Sequence, residues 1–545
     1  MATSSNNGEI APRTGSLEDP PRLAVTKRYL QLLDDEVSNP DKIFISGSSL
    51  QTLDPNLVVL DETRHEHPRS WAFRKKARAT AIVASFGFLS PFSSAIFAPS
   101  ILVVMKDLQI TDSTVGALQV SIFLFAFAVG PLFLAPLSEK YGRVWIIHIG
   151  NLIFVTFSVG GGFTRTATQF LVCRFIVGIG GSASISILGG FIADIWDLAA
   201  RPKASGLIMI GTMLGPILGP VCGGWMSERL SWRWTIWIPA IASAILSVIG
   251  FIWLPESYAP KVLQTKLKEL RKRAPDAKWY TVLDFQGTPK GLGTLMTGFV
   301  RPVVYLVLDP ALFFASLFHS IAFGVIYLII VTYADIFGTG YGFSVGLVGT
   351  AFLAAGVGTL MGTFGTIRAM EAIFKRNEAS GQMKYKPESR MISCIVGGTL
   401  LVGGLFMYGF TALKVHFMVP LIAVVILTAG AANIMLAVQL YAIDGHVPPN
   451  RPRPMDSHVT ISFKYPASAF AAISFLRCIF AGAFPLFGPK LFKRLGVDWG
   501  VALLSFLVLG IGLPLVVLLY IFGSRLRRIG VDRVEKFEGA VKISK

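Results

Sequence analysis

Long apolar segments alternate with short polar ones along most of the chain. A helix needs about 20 residues to cross a bilayer, and twelve of the apolar segments reach that length. They fall into two groups of six, over 78–254 and 309–524, with a polar and basic loop over 255–308 between them. The chain is therefore predicted to be an all-α membrane protein with twelve transmembrane helices in two six-helix halves. The predicted spans cover 79–105, 115–138, 144–163, 168–193, 204–226, 233–254, 310–337, 343–371, 391–413, 415–441, 466–489 and 499–523.

The polar segments at both ends and in the middle are predicted to lie in the cytosol. Residues 1–77 are rich in Ser, Asn, Asp and Pro, which is typical of a disordered tail, and 525–545 form a shorter one. Lys and Arg concentrate beside the connections that a cytosolic N-terminus places inside, as the positive-inside rule requires. The long connection over 445–465 is also predicted to be cytosolic. Its sequence is compatible with a genuine insertion and equally with a gene-model error such as a translated intron.

Composition supports the membrane assignment. The 545 residues are 53% hydrophobic and only 15% charged, with a mean hydropathy of +0.60. The net charge of +18 fits basic cytosolic loops better than nucleic-acid binding. The four cysteines lie inside apolar segments without paired or metal-ligand spacing, which indicates buried thiols. We expect no metal and no cofactor.

Glycine recurs every fourth residue in the fifth predicted span. In water, the glycines and prolines of this helix would cost on the order of 10 kcal/mol of helix propensity. In a bilayer, neighbouring helices satisfy the backbone groups that proline frees. The stripe therefore predicts a surface on which another helix packs or slides closely. Its residues are Gly211, Gly215, Pro216, Gly219, Pro220, Gly223 and Gly224.

A charged turn joins the second and third predicted spans. Glycine permits a tight reversal there, and charged side chains can latch the turn to nearby helix ends. Breaking such a latch is a plausible step of alternating access. The other interpretation is an ordinary solvated loop. The candidate switch residues are Gly130, Glu139, Lys140, Gly142 and Arg143.

Charges inside the apolar segments are few. Arg174 lies within the fourth span, where an unpaired charge is expensive and usually marks a substrate or proton path. The alternative is that Arg174 satisfies main-chain carbonyls of the first span. The same two interpretations apply to Arg477 in the eleventh span. Asp194 lies near the end of the fourth span, where a role in gating or helix capping is expected. We find no central carboxylate relay.

The substrate cavity is expected to be mostly apolar with a few polar groups. His319 in the seventh span could titrate, although a lone histidine among apolar residues is more often simply packed. The candidate lining residues are Tyr327, Tyr333, Phe337, Asn433 and Gln439.

Several of these segments resemble the major facilitator superfamily, and in particular its fungal twelve-span drug:proton antiporters. The turn is similar to the superfamily's loop signature, and the glycine stripe is similar to its antiporter motif. One departure is that Val144 follows Arg143, where the family often has a second basic residue, which weakens the expected latch. The matching segments are Pro68–Trp71, Ser93–Pro99, Gly130–Arg143, Arg174–Ser182, Gly211–Gly224, Leu254–Pro260 and Pro387–Arg390.

The resemblance implies proton-coupled export of small organic compounds, such as drugs, fungicides, toxins or secondary metabolites, by alternating access. It implies a role in proton coupling for Arg174, with Asp194 and Arg477 as further candidates. The expected partners are the substrate, protons and the bilayer of the plasma membrane, or of the vacuole, with the protein acting as a monomer. A polyamine or other cationic-metabolite exporter of the same fold is the alternative. Abundant acidic residues lining the cavity would favour this alternative, and the sequence does not show them. An integral-membrane enzyme would need a His/Asp or metal cluster within the spans, and an ATP-driven pump a phosphate-binding loop; the sequence has neither.

Overall fold

Helices occupy most of the residues that the computed structural model describes. These residues are 56–61, 64–196, 200–276, 279–281, 300, 302–379, 387–445 and 465–543. They form two compact units. One contains the described residues up to Ala72 and from Ala259 to residue 281, and the other contains Phe73–Tyr258 and the described residues from 300 onward. Residues 446–464, which make up nearly all of the long predicted connection, lie outside the described residues.

The apolar segments form helices close to the predicted positions. The helices of the first half are α1 (Phe73–Ala95), α2 (Ile101–Asp107), α3 (Ser113–Tyr141), α4 (Arg143–Gly162), α5 (Ala167–Ile195), α6 (Arg201–Arg229) and α7 (Trp234–Trp253). The loop helix α8 (Ala259–Arg273) follows. The helices of the second half are α9 (Pro310–Tyr333), α10 (Val345–Ala379), α11 (Arg390–Thr411), α12 (Met418–Gly445), α13 (Tyr465–Leu507) and α14 (Leu513–Ile543).

Among the described residues, ten helical stretches are long and apolar enough to cross a membrane. The last of them, Ala471–Val534, contains most of the eleventh predicted span and all of the twelfth, with a kink at Gly496 between them. Helix α6, which covers the fifth predicted span, is not one of the ten. The all-helical membrane fold is confirmed, and the count of twelve spans stays a prediction.

The first predicted span is broken in the middle. Helix α1 ends at Ala95, a 3₁₀ turn over Ala98–Ser100 follows, and α2 continues from Ile101. Pro99 has no N–H to donate to the carbonyl four residues earlier, which explains why the helix stops there. The last carbonyls of α1 are therefore left without partners inside the helix. They become acceptors for a side chain from elsewhere.

The two halves of the membrane unit meet through two pairs of helices. Helix α3 packs against α13, and α6 packs against α10. Within the halves, α1 packs on α6 and α11 packs on α12. One apolar cluster contains Phe97 and Phe170 from the first half together with Tyr327 from the second. The contact between the halves is thus filled with aromatic side chains near the broken first span.

Part of the predicted tail lies among the described residues. Leu57 is buried and forms a parallel bridge with Tyr280, while the Lys266 ammonium reaches the Glu66 carboxylate at 2.5 Å. Helix α1 then begins at Phe73 rather than at residue 78. Within the predicted tail, residues 56–61 and 64–77 thus include a buried leucine, an ion pair and the beginning of α1, and the rest of 1–77 lies outside the described residues.

Candidate functional site

Arg143 is the centre of a buried ionic cluster at one end of the first half. Gly142 has φ of 104°, a left-handed conformation that lets α3 turn directly into α4. The Arg143 guanidinium donates from Nε to the Asp194 carboxylate at 3.2 Å and from Nη1 to the Ser138 hydroxyl at 2.8 Å. The Glu256 carboxylate accepts the backbone N–H of Arg143 at 2.9 Å and that of the next residue at 3.2 Å. A carboxylate at this position also complements the positive end of α4.

Tyr258 covers the cluster. Its ring lies 5.1 Å from Cζ of Arg143. Burial raises the pKa of Tyr258, and the negative charge of Glu139 raises it further. Lys140 lies outside the cluster, exposed, with its ammonium 5.3 Å from the ring of Tyr141.

The structure divides the predicted switch residues. Gly142 and Arg143 lie in the ionic cluster, and Glu139 acts on it only through its charge. Gly130 lies further along α3, where an added methyl group would collide with the Ser182 hydroxyl of α5, so it is a packing residue. The sequence analysis missed Ser138 as a partner. Glu256 and Tyr258 could have been found, because they belong to the Leu254–Pro260 segment that carries the resemblance.

Arg174 binds the carbonyls that the broken first span leaves free. It is 3% exposed, and its guanidinium donates to the carbonyl oxygens of Ser93 at 3.1 Å and Ser94 at 3.4 Å. Its Nε donates to the carbonyl oxygen of Gln119 on α3 at 3.4 Å. These are the contacts that the alternative interpretation of Arg174 describes. A role in proton coupling stays a proposal.

The surroundings of Arg174 are aromatic and polar. Its Cζ lies 5.3 Å from the ring of Phe97 and 5.0 Å from that of Phe123, so the charge also rests on two aromatic faces. The side-chain amide of Gln119 is buried, and neither its oxygen nor its nitrogen has a hydrogen-bond partner in the structure. The sequence analysis overlooked Gln119, although a glutamine in the middle of an apolar segment is a visible signal.

Three residues of the second half continue this polar region. Tyr327 on α9 packs in the same apolar cluster as Phe97, whose ring lies beside the Arg174 guanidinium. His319 lies on the same helix, buried, with both ring nitrogens unpartnered in the structure. Arg477 on α13 lies with its Cζ 5.1 Å from the ring of Phe323, which stands between His319 and Tyr327. We define the central polar cluster as Arg174, Gln119, His319, Tyr327 and Arg477.

Asp194 does not belong to the central polar cluster, because it lies in the Arg143 cluster at the end of α5. The three proton-coupling candidates therefore occupy two separate places. In the described part of the chain, no group of three or more His, Cys, Asp or Glu side chains is placed to hold a metal ion.

The structure does not bring the five cavity candidates together. Only Tyr327 lies at the contact between the halves. Tyr333 and Phe337 pack into the core of the second half, where the rings of Tyr333 and Phe352 are 4.3 Å apart. A role of these two residues in lining a cavity stays a prediction; a helix that is apolar all round gives no sign in the sequence of which face is central.

Asn433 lies where α12 packs against α11 of the second half. The Asn433 oxygen accepts from the Ser393 hydroxyl at 3.1 Å, and Asn433 lines a cavity of about 380 Å³ between α10, α11 and α12. Exposed apolar residues such as Met361 and Val396 form the rim of that cavity. Gln439 is buried on α12.

Most of the glycine stripe packs against α1 of the same half. A methyl group on Gly215 would lie 2.8 Å from the main-chain nitrogen of Phe92, and one on Gly219 would lie 2.7 Å from the carbonyl oxygen of Phe92. Gly223 has the same role one turn later, against Ile96. Gly211 is different, since its nearest neighbour would be 3.9 Å away. The close packing that the sequence indicated is thus a contact within the first half.

The other edge of α6 meets the second half. A methyl group on Gly224 would lie 2.5 Å from the carbonyl oxygen of Val345 and 3.1 Å from Cα of Gly349. A methyl group on Gly349 would collide with the carbonyl oxygen of Pro220. Pro216 is half-buried. Helix α6 therefore carries two adjacent contact surfaces, one for α1 and one for α10.

Known proteins share both the sequence and the fold. The sequence model of the Major Facilitator Superfamily matches residues 83–453. Efflux pump vrtL of Penicillium aethiopicum is 33% identical over 87% of this chain and 91% of its own length. Efflux pump radE of Floropilus chiversii is 34% identical over 87% of this chain and 85% of its own length.

Among solved structures, the xylose transporter XylE of E. coli in a partially occluded inward-open conformation has a TM-score of 0.57 at 14% identity. That match covers 82% of this chain and 98% of the other. The human organic anion transporter MFSD10 has a TM-score of 0.53 at 15% identity, covering 81% of this chain and 99% of the other. These similarities support the fold alone. The family match and the fungal relatives together establish that the chain belongs to the Major Facilitator Superfamily and, within it, to a family of fungal transporters that includes named efflux pumps.

Proposed function

We propose that the protein exports small organic compounds in exchange for protons. The compounds would be drugs, fungicides, toxins or the producing fungus's own secondary metabolites. The observation that carries the direction of transport is the alignment with named efflux pumps over 87% of the chain. Membership of a transporter family makes the protein a membrane transporter and not an enzyme.

The proposed mechanism is alternating access. The two halves rock about the central polar cluster and expose it to one side of the membrane at a time. The close main-chain contact between α6 and α10 at Gly224 and Gly349 supports this, because it gives the two halves a point about which they can move. Each change of state requires that protons and substrate bind the two states with different affinities.

Proton coupling is proposed to involve two places. Protonation of Asp194 would remove the negative charge that faces Arg143 and would loosen the Arg143 cluster. Arg174 and Arg477 would act in the central polar cluster, where their charges change the affinity for substrate. Arg174 also binds the end of α1, so any shift of its guanidinium would be transmitted to the broken first span.

We place the protein in the plasma membrane as a monomer with both termini in the cytosol. The basic loops beside the predicted cytosolic connections support this orientation. The vacuolar membrane is the alternative location. Fluorescence of a C-terminal fusion, with protease access to the tag in intact and permeabilised cells, separates these arrangements.

The decisive experiment measures efflux from drug-sensitive yeast cells that express the full chain, alongside Arg174→Ala. We expect efflux that stops when a protonophore collapses the proton gradient and that is lost in the variant while the protein stays in the membrane. Efflux that ignores the protonophore and stops on ATP depletion would refute the proposal.

A polyamine or other cationic-metabolite exporter is the second candidate. In the described membrane helices, the carboxylates that such a substrate would need lie near helix ends, as Asp107 and Asp335 do. Growth protection against spermine rather than against apolar fungicides would favour this candidate.

A further inference from the structure

The membrane interior contains two arginines, Arg174 buried and Arg477 half-buried, and no facing anion in the described residues. Arg174 lies within α5 of the first half, and Arg477 lies within α13 of the second. Neither forms an ion pair with a described residue, since the described carboxylates of the membrane helices lie near helix ends. Buried charges in a membrane protein normally face a partner of opposite sign or a water-filled path. The two arginines therefore make this region suited to an anionic group.

Arg477 is the less satisfied of the two. Its guanidinium rests on the ring of Phe323, with Cζ 5.1 Å from the ring centre. Its Nε is buried without a hydrogen-bond partner in the structure. Arg174 uses three donors for main-chain carbonyls, whereas a guanidinium has five N–H donors. Both arginines thus retain donors for a further acceptor.

The neighbours of Arg477 are suited to an organic acid. His319, Phe323 and Tyr327 follow one another every fourth residue, so they share one face of α9. Arg477 lies against Phe323 in the middle of this face, and its charge acts on both His319 and Tyr327. The unpartnered His319 ring and Gln119 amide offer further hydrogen bonds. Aromatic rings beside these groups would contact the apolar body of a ligand.

We infer that the transported compound carries an acidic group, a carboxylate or an ionised enol, that binds Arg477 and is oriented toward Arg174. A guanidinium binds a carboxylate with two parallel hydrogen bonds, a geometry that an ammonium group cannot copy. The same positive region repels cationic substrates. The inference rests on the proposed export function and narrows its substrate class.

The test measures binding rather than transport. The purified full chain in detergent is titrated at neutral pH with three matched derivatives of naphthalene, anthracene and pyrene: the carboxylic acid, the primary carboxamide and the methylamine. We expect at least one acid to bind about tenfold or more tightly than its carboxamide, because hydrogen bonds to charged groups are worth that factor. We expect the amines to bind most weakly.

Variants locate the effect. Arg477→Gln should abolish the preference for the acid, and Arg477→Lys, which keeps the charge, should retain part of it. Arg525→Gln, at an exposed position of α14, should leave the preference unchanged. If Arg477→Gln does not fold, the comparison of the unaltered chain with Arg477→Lys still decides the question.

Three results would overturn the inference: carboxamides or amines that bind as tightly as the acids, no binding by any acid, or a preference that survives in Arg477→Gln. The binding assay uses no proton gradient, so its outcome is independent of the proposed coupling. Acid-selective binding together with efflux that ignores a protonophore would refute proton coupling and keep the inference. Proton-coupled efflux of amines but not of acids would support proton coupling and refute the inference of an acidic substrate.

Discussion

Arg143 joins three parts of the chain at one point. It contacts the end of α3 through Ser138, the end of α5 through Asp194 and the segment after α7 through Glu256. The Arg143 side chain is 9% exposed and that of Asp194 is 19% exposed, so solvent screens this pair poorly. A change in either charge would therefore alter the contacts among α3, α5 and the segment after α7.

Arg143→Gln should lower efflux at least about tenfold, a factor that corresponds to about 1.4 kcal/mol. The reason is that breaking a buried ion pair by removing one partner leaves the other charge poorly compensated. Efflux normalised to the amount of protein in the membrane checks the prediction. Lys140→Gln removes a neighbouring exposed charge and should have a much smaller effect. Equal losses in the two variants would mean that general loop charge matters, and not the cluster.

Arg174→Lys should destabilise the protein although it keeps the charge. A single ammonium cannot reach the carbonyls of Ser93, Ser94 and Gln119 together as the planar guanidinium does. Each lost hydrogen bond to a charged group is worth about 1.5–3 kcal/mol. Thermal unfolding in detergent should show a lower midpoint for Arg174→Lys and a still lower one for Arg174→Ala. An unchanged midpoint in both would exclude the structural role.

Arg143 and Arg174 could be singled out from the sequence because a charge in or beside an apolar segment is conspicuous. Most of their individual partners could not be identified, since acceptors such as Asp194 and the Gln119 carbonyl lie 51 and 55 residues away along the chain. Which helices bring such positions together depends on packing. Gln119 shows the opposite case, where a visible signal was passed over.

Helix α6 packs against two different helices, at different positions along its length and around its circumference. Gly215, Gly219 and Gly223 admit the backbone of α1, and Gly224 admits that of α10. The glycine period predicted close packing correctly. It did not reveal the partners, because a four-residue step drifts around the helix and so passes from one neighbour to the next.

Gly219→Ala should impair the protein, whereas Gly211→Ala should be tolerated. The added methyl group would meet main-chain atoms of α1 at 2.7 Å and 3.0 Å in the first variant, but only at 3.9 Å in the second. Overpacking of this kind costs about 1–3 kcal/mol. Thermal stability and efflux of the two variants check the prediction. A fully stable and active Gly219→Ala would show that α1 and α6 are looser than the structure indicates.

The halves are tied together at the end of the bundle opposite the Arg143 cluster. The Glu228 carboxylate of α6 accepts the backbone N–H of Gly346 at 2.6 Å, near the beginning of α10. The indole N–H of Trp225 donates to the hydroxyl of Thr350 at 3.2 Å. Opening at this end requires both hydrogen bonds to break.

Glu228→Ala should therefore favour opening at this end. The expected sign is a severalfold faster reaction of the half-buried Cys222 with a maleimide, measured in a Cys173→Ser background because the other two cysteines are buried. Asp112→Ala is the matched control, since Asp112 caps the helix of its own half. Each substitution removes a carboxylate that accepts a backbone N–H in the first turn of a helix, so the two variants are comparable in this respect. The same rise in both variants would point to general loosening of the structure.

At the scale of the molecule, hydropathy was enough to predict the helical membrane architecture. The two contact pairs α3–α13 and α6–α10 could not be predicted, since any apolar helix can face lipid or another helix. The break in the first span and the kink at Gly496 within Ala471–Val534, where φ is 75°, could not be predicted either, because hydropathy does not register where a helix bends.

The meeting of Gly224 with Gly349 has a consequence for how such a protein can diversify. A joint made of main-chain atoms places no demand on the chemistry of the residues around the substrate. Substitutions in the central polar cluster can then alter what is carried without altering how the two halves are joined. Related transporters that keep this contact can therefore evolve new substrate preferences as the metabolism of the organism changes. The packing of α6 on α10 stays the same throughout.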